Sequence, residues 1–165
     1  MRRILCPVDF SDFSRRVLRA AAHLADQFGA QLAVVHVNDP FLVNASLAAY
    51  GWDLVGNQTR AELREFVAST NSHIACATSG PTIVVGLGTP AREIVNVARR
   101  ERSDLIVMGT RGSSHRTLFG STTARVLRHT DVPVLTLPLS AAEPLWCEDR
   151  RILGNSECVA KSPQR

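Results

Sequence analysis

Arg3-Ile4-Leu5-Cys6-Pro7-Val8 is an apolar run halted by Asp9, and Gln31-Leu32-Ala33-Val34-Val35-His36-Val37 is a second run, β-branched and almost continuously apolar. Runs of this kind read as strands buried on both faces of a parallel sheet. Between them Phe13, Val17, Leu18, Ala21, Leu24, Ala25 and Phe28 recur at helical spacing, with Ser11 or Asp12 as the N-cap and Gly29 as the stop. Strand, helix and strand in this order predict a right-handed parallel crossover.

Working outward, Asn38 to about Gln58 contains Pro40, Gly51 and Gly56 and reads as a long, partly helical excursion. A helix from about Thr59 to Ser69, with Leu63, Phe66 and Val67 inward, returns the chain to a third strand at Thr82-Ile83-Val84-Val85. Thr89 is placed to cap a helix that opens on Pro90 and turns Ile94, Val97 and Ala98 inward. Asp104-Leu105-Ile106-Val107-Met108 is the fourth strand, Ser121 to Arg128 a further helix, and Val132 to Leu137 the fifth strand, which Pro133 places at an edge. The alternation predicts an α/β fold: a doubly wound, open sheet of five mainly parallel strands with helices on both faces, Rossmann-like. The domain is expected over residues 1–140. Periodicity fails after Pro138, so 141–165 reads as a flexible C-terminal tail.

Composition agrees. The 165 residues are 45% hydrophobic and 21% charged, as in one soluble globular domain, and aromatics at 5% disfavour an aromatic sugar platform. The formal charge of +4 comes from arginines spread over helix faces, with no basic stripe interleaved with aromatics, so nucleic acid is not the expected partner. Cys6, Cys76, Cys147 and Cys158 form no C-x-x-C pair, which points to reduced thiols rather than zinc or thioredoxin chemistry. No apolar run reaches the ~18–20 residues that span a bilayer, and the start MRRILCPVDF is unlike a signal peptide. The expected location is the cytoplasm, away from membranes.

In an open parallel sheet the ligand crevice lies at the carboxyl ends of the strands where strand order reverses, here after strands one and four. Asp9 ends the first of these. Gly109-Thr110-Arg111-Gly112 ends the fourth, and Gly120-Ser121-Thr122 opens the last helix. Loop glycines let backbone amides approach a phosphate, and a helix start adds free N–H groups and a favourable dipole. There is no G-x-x-x-x-G-K-[ST] loop, and the one lysine, Lys161, lies in the tail. His23, His36, His73, His115 and His129 have no evident Ser or Cys partner, so a catalytic triad is disfavoured, and His36 reads as a satisfied strand-end residue lining the crevice.

With these residues together, the chain resembles the universal stress protein family from Arg2 to Pro138, whose nucleotide-binding members carry G-x2-G-x9-G-[S/T] after strand four and an Asp after strand one. The resemblance rests on Pro7-Val8-Asp9-Phe10-Ser11, Val35-His36-Val37, Gly88-Thr89-Pro90, Asp104 to Gly109, the loop glycines and Val132-Pro133-Val134-Leu135. It implies an adenine nucleotide alpha hydrolase-like fold that binds ATP, ADP or AMP with Mg²⁺. Adenosine would lie near Asp9 and the backbone of Val37, while Gly109, Gly112, Gly120, Ser121 and Thr122 surround ribose and phosphates. Pro7 and Met108, at strand ends, belong to the same cofactor-binding set, and Arg111 and Arg116 are candidates for phosphate pairing or else solvated loop charges.

Two of these residues keep two readings: Asp9 binds ribose or adenine, or caps a turn, and Ser121 meets phosphate or caps its helix. One spacing departs from the family pattern. Seven residues, Ser113 to Phe119, stand between Gly112 and Gly120 where the family has nine, which removes up to roughly 7 Å of reach at the distal phosphates. Retention of Asp9 and the glycines favours a nucleotide-binding stress-response module, with slow or no turnover and a protein partner, over a dimerisation module without nucleotide or an ATP-using transferase. Val132, Val134, Leu135 and Leu137 read as an apolar edge through which two copies would pair as a homodimer.

Overall fold

A computed structural model, in which residues 1–70, 80–110 and 119–138 are described, builds the expected alternation. The elements are β1 (Arg3–Pro7), α1 (Asp12–Phe28), β2 (Gln31–Asn38), α2 (Pro40–Tyr50), α3 (Leu54–Thr70), β3 (Thr82–Leu87), α4 (Pro90–Arg100), β4 (Leu105–Gly109), α5 (Ser121–His129) and β5 (Val134–Leu137). The strands form one sheet in the order β3-β2-β1-β4-β5. Every pairing is parallel, from Ile4 beside Leu32 and Leu105 to Ile106 beside Val134.

The strands read as continuous apolar runs because both sheet faces are covered. Ile4, Cys6, Leu32, Val34 and Val107 face α1 and α3, while Leu5, Ala33, Val35, Ile106 and Met108 face α4 and α5. Cys6 is a free thiol in the first of these layers, and burial pushes its pKa up to about 12, so it stays protonated. At the amino ends of the strands the Asp104 carboxylate accepts the Arg2 and Arg3 amides, and the Arg3 guanidinium pairs with Glu101 at 2.9 Å. That rim is tied shut by its own side chains.

Caps fix both ends of α1 as the sequence suggests, whereas Thr89 stands at the N-cap of α4 without a side-chain cap bond. Ser11 accepts the Ser14 amide at the start of α1, and Gly29 closes it in the left-handed region at φ 58°, which favours a residue without a Cβ. The stretch read as an irregular excursion is two helices. Asp39 caps α2 by accepting the Phe41 amide at 2.8 Å, Pro40 takes the first helical position, and Asp53 accepts the Gly56 amide at 2.7 Å at the start of α3. Periodicity concealed α2 because it is apolar nearly all round, with Val43 and Ser46 its buried residues.

β5 lies at the sheet edge, as Pro133 suggested, but begins at Val134. Val132 and Pro133 precede it in a turn where the Val132 amide donates to the Thr130 hydroxyl at 3.1 Å. The four apolar residues assigned to an open edge do not share one surface. Leu137 is buried in the α1/α3 core, Val132 and Val134 pack against the α4/α5 core, and Leu135 is exposed. The tail read at 141–165, with Cys147, Cys158 and Lys161, lies outside the described residues, as do Cys76 and His73.

Leu63 of α3 is fully buried between α1 and the sheet. Leu63→Ala should lower stability by ~2–5 kcal/mol, read as a shift of the urea midpoint at unchanged slope. A loss below ~1 kcal/mol would mean that α3 does not close this face.

Candidate functional site

The order β3-β2-β1-β4-β5 reverses direction between β1 and β4, and the chain leaves these neighbours toward opposite faces, into α1 and α5. In sheets of this order the ligand crevice lies at that point of the carboxyl rim. On the β1 side the loop is built around Asp9. Its Oδ1 accepts the Ser11 hydroxyl at 2.5 Å, the Ser14 hydroxyl at 2.5 Å and the Ser11 amide at 3.2 Å. The Ser14 hydroxyl in turn accepts the Asp9 amide at 3.1 Å.

Burial pushes the Asp9 carboxyl up, but the hydrogen bonds from Ser11 and Ser14 outweigh it and hold the group below its ordinary value. It is therefore an anion at neutral pH. Among the described residues none donates to Oδ2, and Asp9 is exposed, so one oxygen of a positioned carboxylate is left to a ligand or to water. Of the two roles read from the sequence, the turn-organising one is what Oδ1 performs.

Phe10 sits at φ 62°, in the left-handed region that a bulky residue rarely adopts, at a cost of order 1–3 kcal/mol. Its ring packs 4.5 Å from His36 and edge-on to Phe66 at 5.4 Å, and these contacts offset the strain. His36 Nδ1 lies 2.9 Å from the Val8 carbonyl oxygen, which can only accept, so Nδ1 carries the proton. His36 is thus the satisfied strand-end residue expected, and it ties β2 to the end of β1.

Across the crevice the Thr110 amide donates to the Leu137 carbonyl at 2.8 Å, and the Gly120 amide returns to the Thr110 carbonyl at 2.7 Å. The two ends of the intervening segment are thereby clamped together. The Thr123 hydroxyl donates to the Gly109 carbonyl at 2.9 Å, fixing the start of α5 against the end of β4. Gly120, not Ser121, is the N-cap of α5, and among the described residues no side chain accepts the first amides of that helix. The capping role considered for Ser121 is therefore corrected: it is the first helical residue and exposed. The first amides of α5 are left to a ligand or to water.

Pro7, Asp9, Val37, Gly109, Gly120, Ser121 and Thr122 all stand on this carboxyl rim. Met108 does too, but its side chain is buried in the α4/α5 core, so only its backbone can reach the crevice. Arg111, Gly112, His115 and Arg116, with all of Ser113 to Arg116, lie outside the described residues. Sequence reasoning missed Ser14 and Thr123. Ser14 was legible as the third residue of α1, from which a polar side chain reaches back across a cap, whereas Thr123 carries no local signal. Among the described residues no three His, Cys, Asp or Glu stand together to hold a metal ion, and no helix is long and apolar enough to cross a membrane.

A family model described as the universal stress protein family matches residues 1–138. The chain is 33% identical over 143 residues to universal stress protein MJ0531 of Methanocaldococcus jannaschii, covering 82% of this chain and 81% of that one. The structure of protein MJ0577 shares the fold at a TM-score of 0.70 and 22% identity, covering 86% of this chain and 98% of that one. A universal stress protein from Archaeoglobus fulgidus, solved in complex with dAMP, is 27% identical at a TM-score of 0.55, covering 82% of this chain and 96% of that one.

Because the folded-state pKa of Asp9 lies below its unfolded value of 3.8, its contribution to stability is complete above that value and disappears as pH falls through the lower, folded one. Asp9→Asn should be less stable than the parent at pH 7 by about 1 kcal/mol, a modest figure because the carboxylate is open to solvent. Urea melts at pH 7 and at an acid pH below the folded-state value should show the gap close at the second. A gap of equal size at both pH values would show that the charge on Asp9 contributes nothing.

Proposed function

Since this chain belongs to the universal stress protein family, we propose that it binds adenine nucleotides at the crevice between β1 and β4 and acts as a cytoplasmic stress-response module. The carrying observation is the pairing of a preorganised carboxylate with an uncapped helix start on opposite sides of one crevice. Asp9 Oδ2 is a fixed acceptor for ribose hydroxyls or the adenine amine. The amides of Ser121 and Thr122 at the start of α5 suit phosphate oxygens. The Val37 backbone at the end of β2 offers the base its remaining polar contacts, as the extended peptide edge of a strand does. The dAMP-bound relative from Archaeoglobus fulgidus supports an adenine nucleotide as the ligand class.

ATP with Mg²⁺ is the form we propose for the cell, the ion arriving on the phosphates rather than on protein carboxylates. No nucleophile or general base is assigned, and slow or no turnover suits a binding module whose occupancy is read by a protein partner. Two copies pair through the backbone of the β5 edge, where Leu135 is the exposed apolar side chain at 39%.

Nucleotide released from the purified, denatured protein and separated by chromatography should be adenine-based, and calorimetric titration should give affinities for AMP, ADP and ATP within about ten-fold of one another, or ~1.4 kcal/mol. Asp9→Ala should weaken all three alike. An ATP preference above roughly a hundred-fold would show that the segment between Gly112 and Gly120 closes over the distal phosphates despite its seven residues. Absence of both copurified and titratable nucleotide would favour the dimerisation module instead.

Leu135→Asp leaves the core untouched and should convert the β5-paired species to its half-mass form in light scattering. A mass equal to the parent's would rule out pairing at this edge.

A further inference from the structure

Charge is not spread evenly over the two helical layers. On α4, α5 and the turns that close them stand six arginines against three acids, Glu93, Glu101 and Asp131, whereas the remaining described residues hold seven arginines and eight acids. The basic excess of the described residues therefore lies in one layer. Its three acids are all engaged elsewhere or already matched. Glu101 pairs with Arg3 at the amino rim, and Asp131 pairs with Arg99 at 2.8 Å. Glu93 lies back over Gly86 of β3, where an added Cβ would meet its Cγ at 2.6 Å, on the side of α4 away from α5. Among the described residues no acid pairs with Arg92, Arg125 or Arg128.

These arginines share one surface. Ala91, Ile94, Val95 and Ala98 turn α4 toward the sheet and leave Arg92 and Arg99 exposed, and Thr123 and Val126 do the same for α5 and leave Arg125 and Arg128 exposed. The reach of Arg99 to Asp131, two residues beyond α5, identifies the flank of α4 that lies beside α5. Arg92 stands on the same flank, seven residues or about 10 Å earlier. Helices packed side by side on a sheet stand about 8–10 Å apart, so Arg92 and Arg99 on one side and Arg125 and Arg128 on the other border the groove between α4 and α5.

We propose that this surface docks an acidic helix of a protein partner, laid along the groove with carboxylates at i, i+4 and i+7 toward the arginines. That a protein partner exists rests on the function proposed above, but the surface itself does not depend on nucleotide. Charge complementarity selects the occupant. A guanidinium fork takes a carboxylate bidentately, and carboxylates one and two turns apart on a helix match arginines spaced by seven residues on α4 and three on α5. Nucleic acid is the poorer occupant, because three unpaired arginines fall short of the ~6–10 phosphate contacts of such a complex. Neither helix carries a lysine, or an aromatic ring on which a base could stack. The first amides of α5 face the proposed phosphate position, so the helix that would sense a nucleotide is also the one that bears Arg125 and Arg128.

The probe is a fluorescein-labelled, alanine-based helical peptide with glutamates at i, i+4, i+7 and i+11, titrated with the full chain and followed by fluorescence anisotropy. Arg92→Gln and the double variant Arg125→Gln with Arg128→Gln are compared with Arg60→Gln and Arg64→Gln together, an equally exposed pair on α3 that removes the same charge as the α5 pair. Glutamine is a good helix former, so far-UV circular dichroism should be unchanged. The parent should bind the peptide, the α5 pair and Arg92→Gln should each weaken binding about three- to five-fold, and the α3 pair should leave it within about two-fold. Raising NaCl to about 200 mM should weaken the parent's binding as well. No binding by the parent, or equal losses in the α3 and α5 pairs, would overturn the proposal. So would a DNA duplex that binds more tightly than the peptide and is lost in the α5 pair, which would assign the surface to nucleic acid. Peptide binding by a protein that takes no ATP in the same buffer would count against the nucleotide site and leave the docking surface standing.

Discussion

Parallel strands cannot be joined by tight turns. Each link in this sheet must cross a face through a helix, and because β1 sends its link to one face and β4 sends its link to the other, the two central loops part. The crevice that carries the candidate site is a consequence of that parting. It requires β1 and β4 to be neighbours buried on both faces, a condition met by the apolar layers of Ile4, Cys6 and Val107 on one side and Leu5, Ile106 and Met108 on the other.

What the crevice can do follows from how its two walls are finished. On the β1 wall a charged side chain is immobilised by the turn it organises, with Ser11 and Ser14 holding one oxygen of Asp9 and leaving the other to a ligand or to water. Phe10 adopts a strained backbone so that its ring can lock this turn onto His36 and Phe66, which are parts of β2 and α3. On the β4 wall the N-cap is Gly120, and among the described residues no side chain caps the opening helix. A cap there would occupy the amides that an anion uses, and Thr123 instead anchors the helix from below through the Gly109 carbonyl. Rigid acceptor and open donors stand on separate elements, each fixed from behind.

The carboxyl rim also carries the apolar α2, which leaves from the end of β2 immediately after the backbone assigned to the base. The opposite rim is sealed by Arg3, Glu101 and Asp104. The candidate site and the exposed apolar residues of α2 therefore share one end of the molecule.

Much of this was legible in the sequence because it is local. The strand runs of β1 and β2, the cap Ser11, the stop Gly29, the Pro90 helix start and the edge position of β5 each depend on residues within a few positions of one another, as period and cap chemistry do. The placement of Asp9, Gly109 and Gly120 at one rim followed from the alternation of elements. The tertiary structure decided the rest. It resolved α2, whose all-round apolarity gives no period to read, and it split the apolar row of β5 among two cores and solvent, because a side chain's neighbours across a sheet come from distant sequence. It also committed one oxygen of Asp9 to a turn, and moved the cap from Ser121 to Gly120. Sequence determines which groups are present and how they repeat, whereas which of them remain unsatisfied, and therefore free for a ligand, is settled only when distant elements have taken their hydrogen bonds.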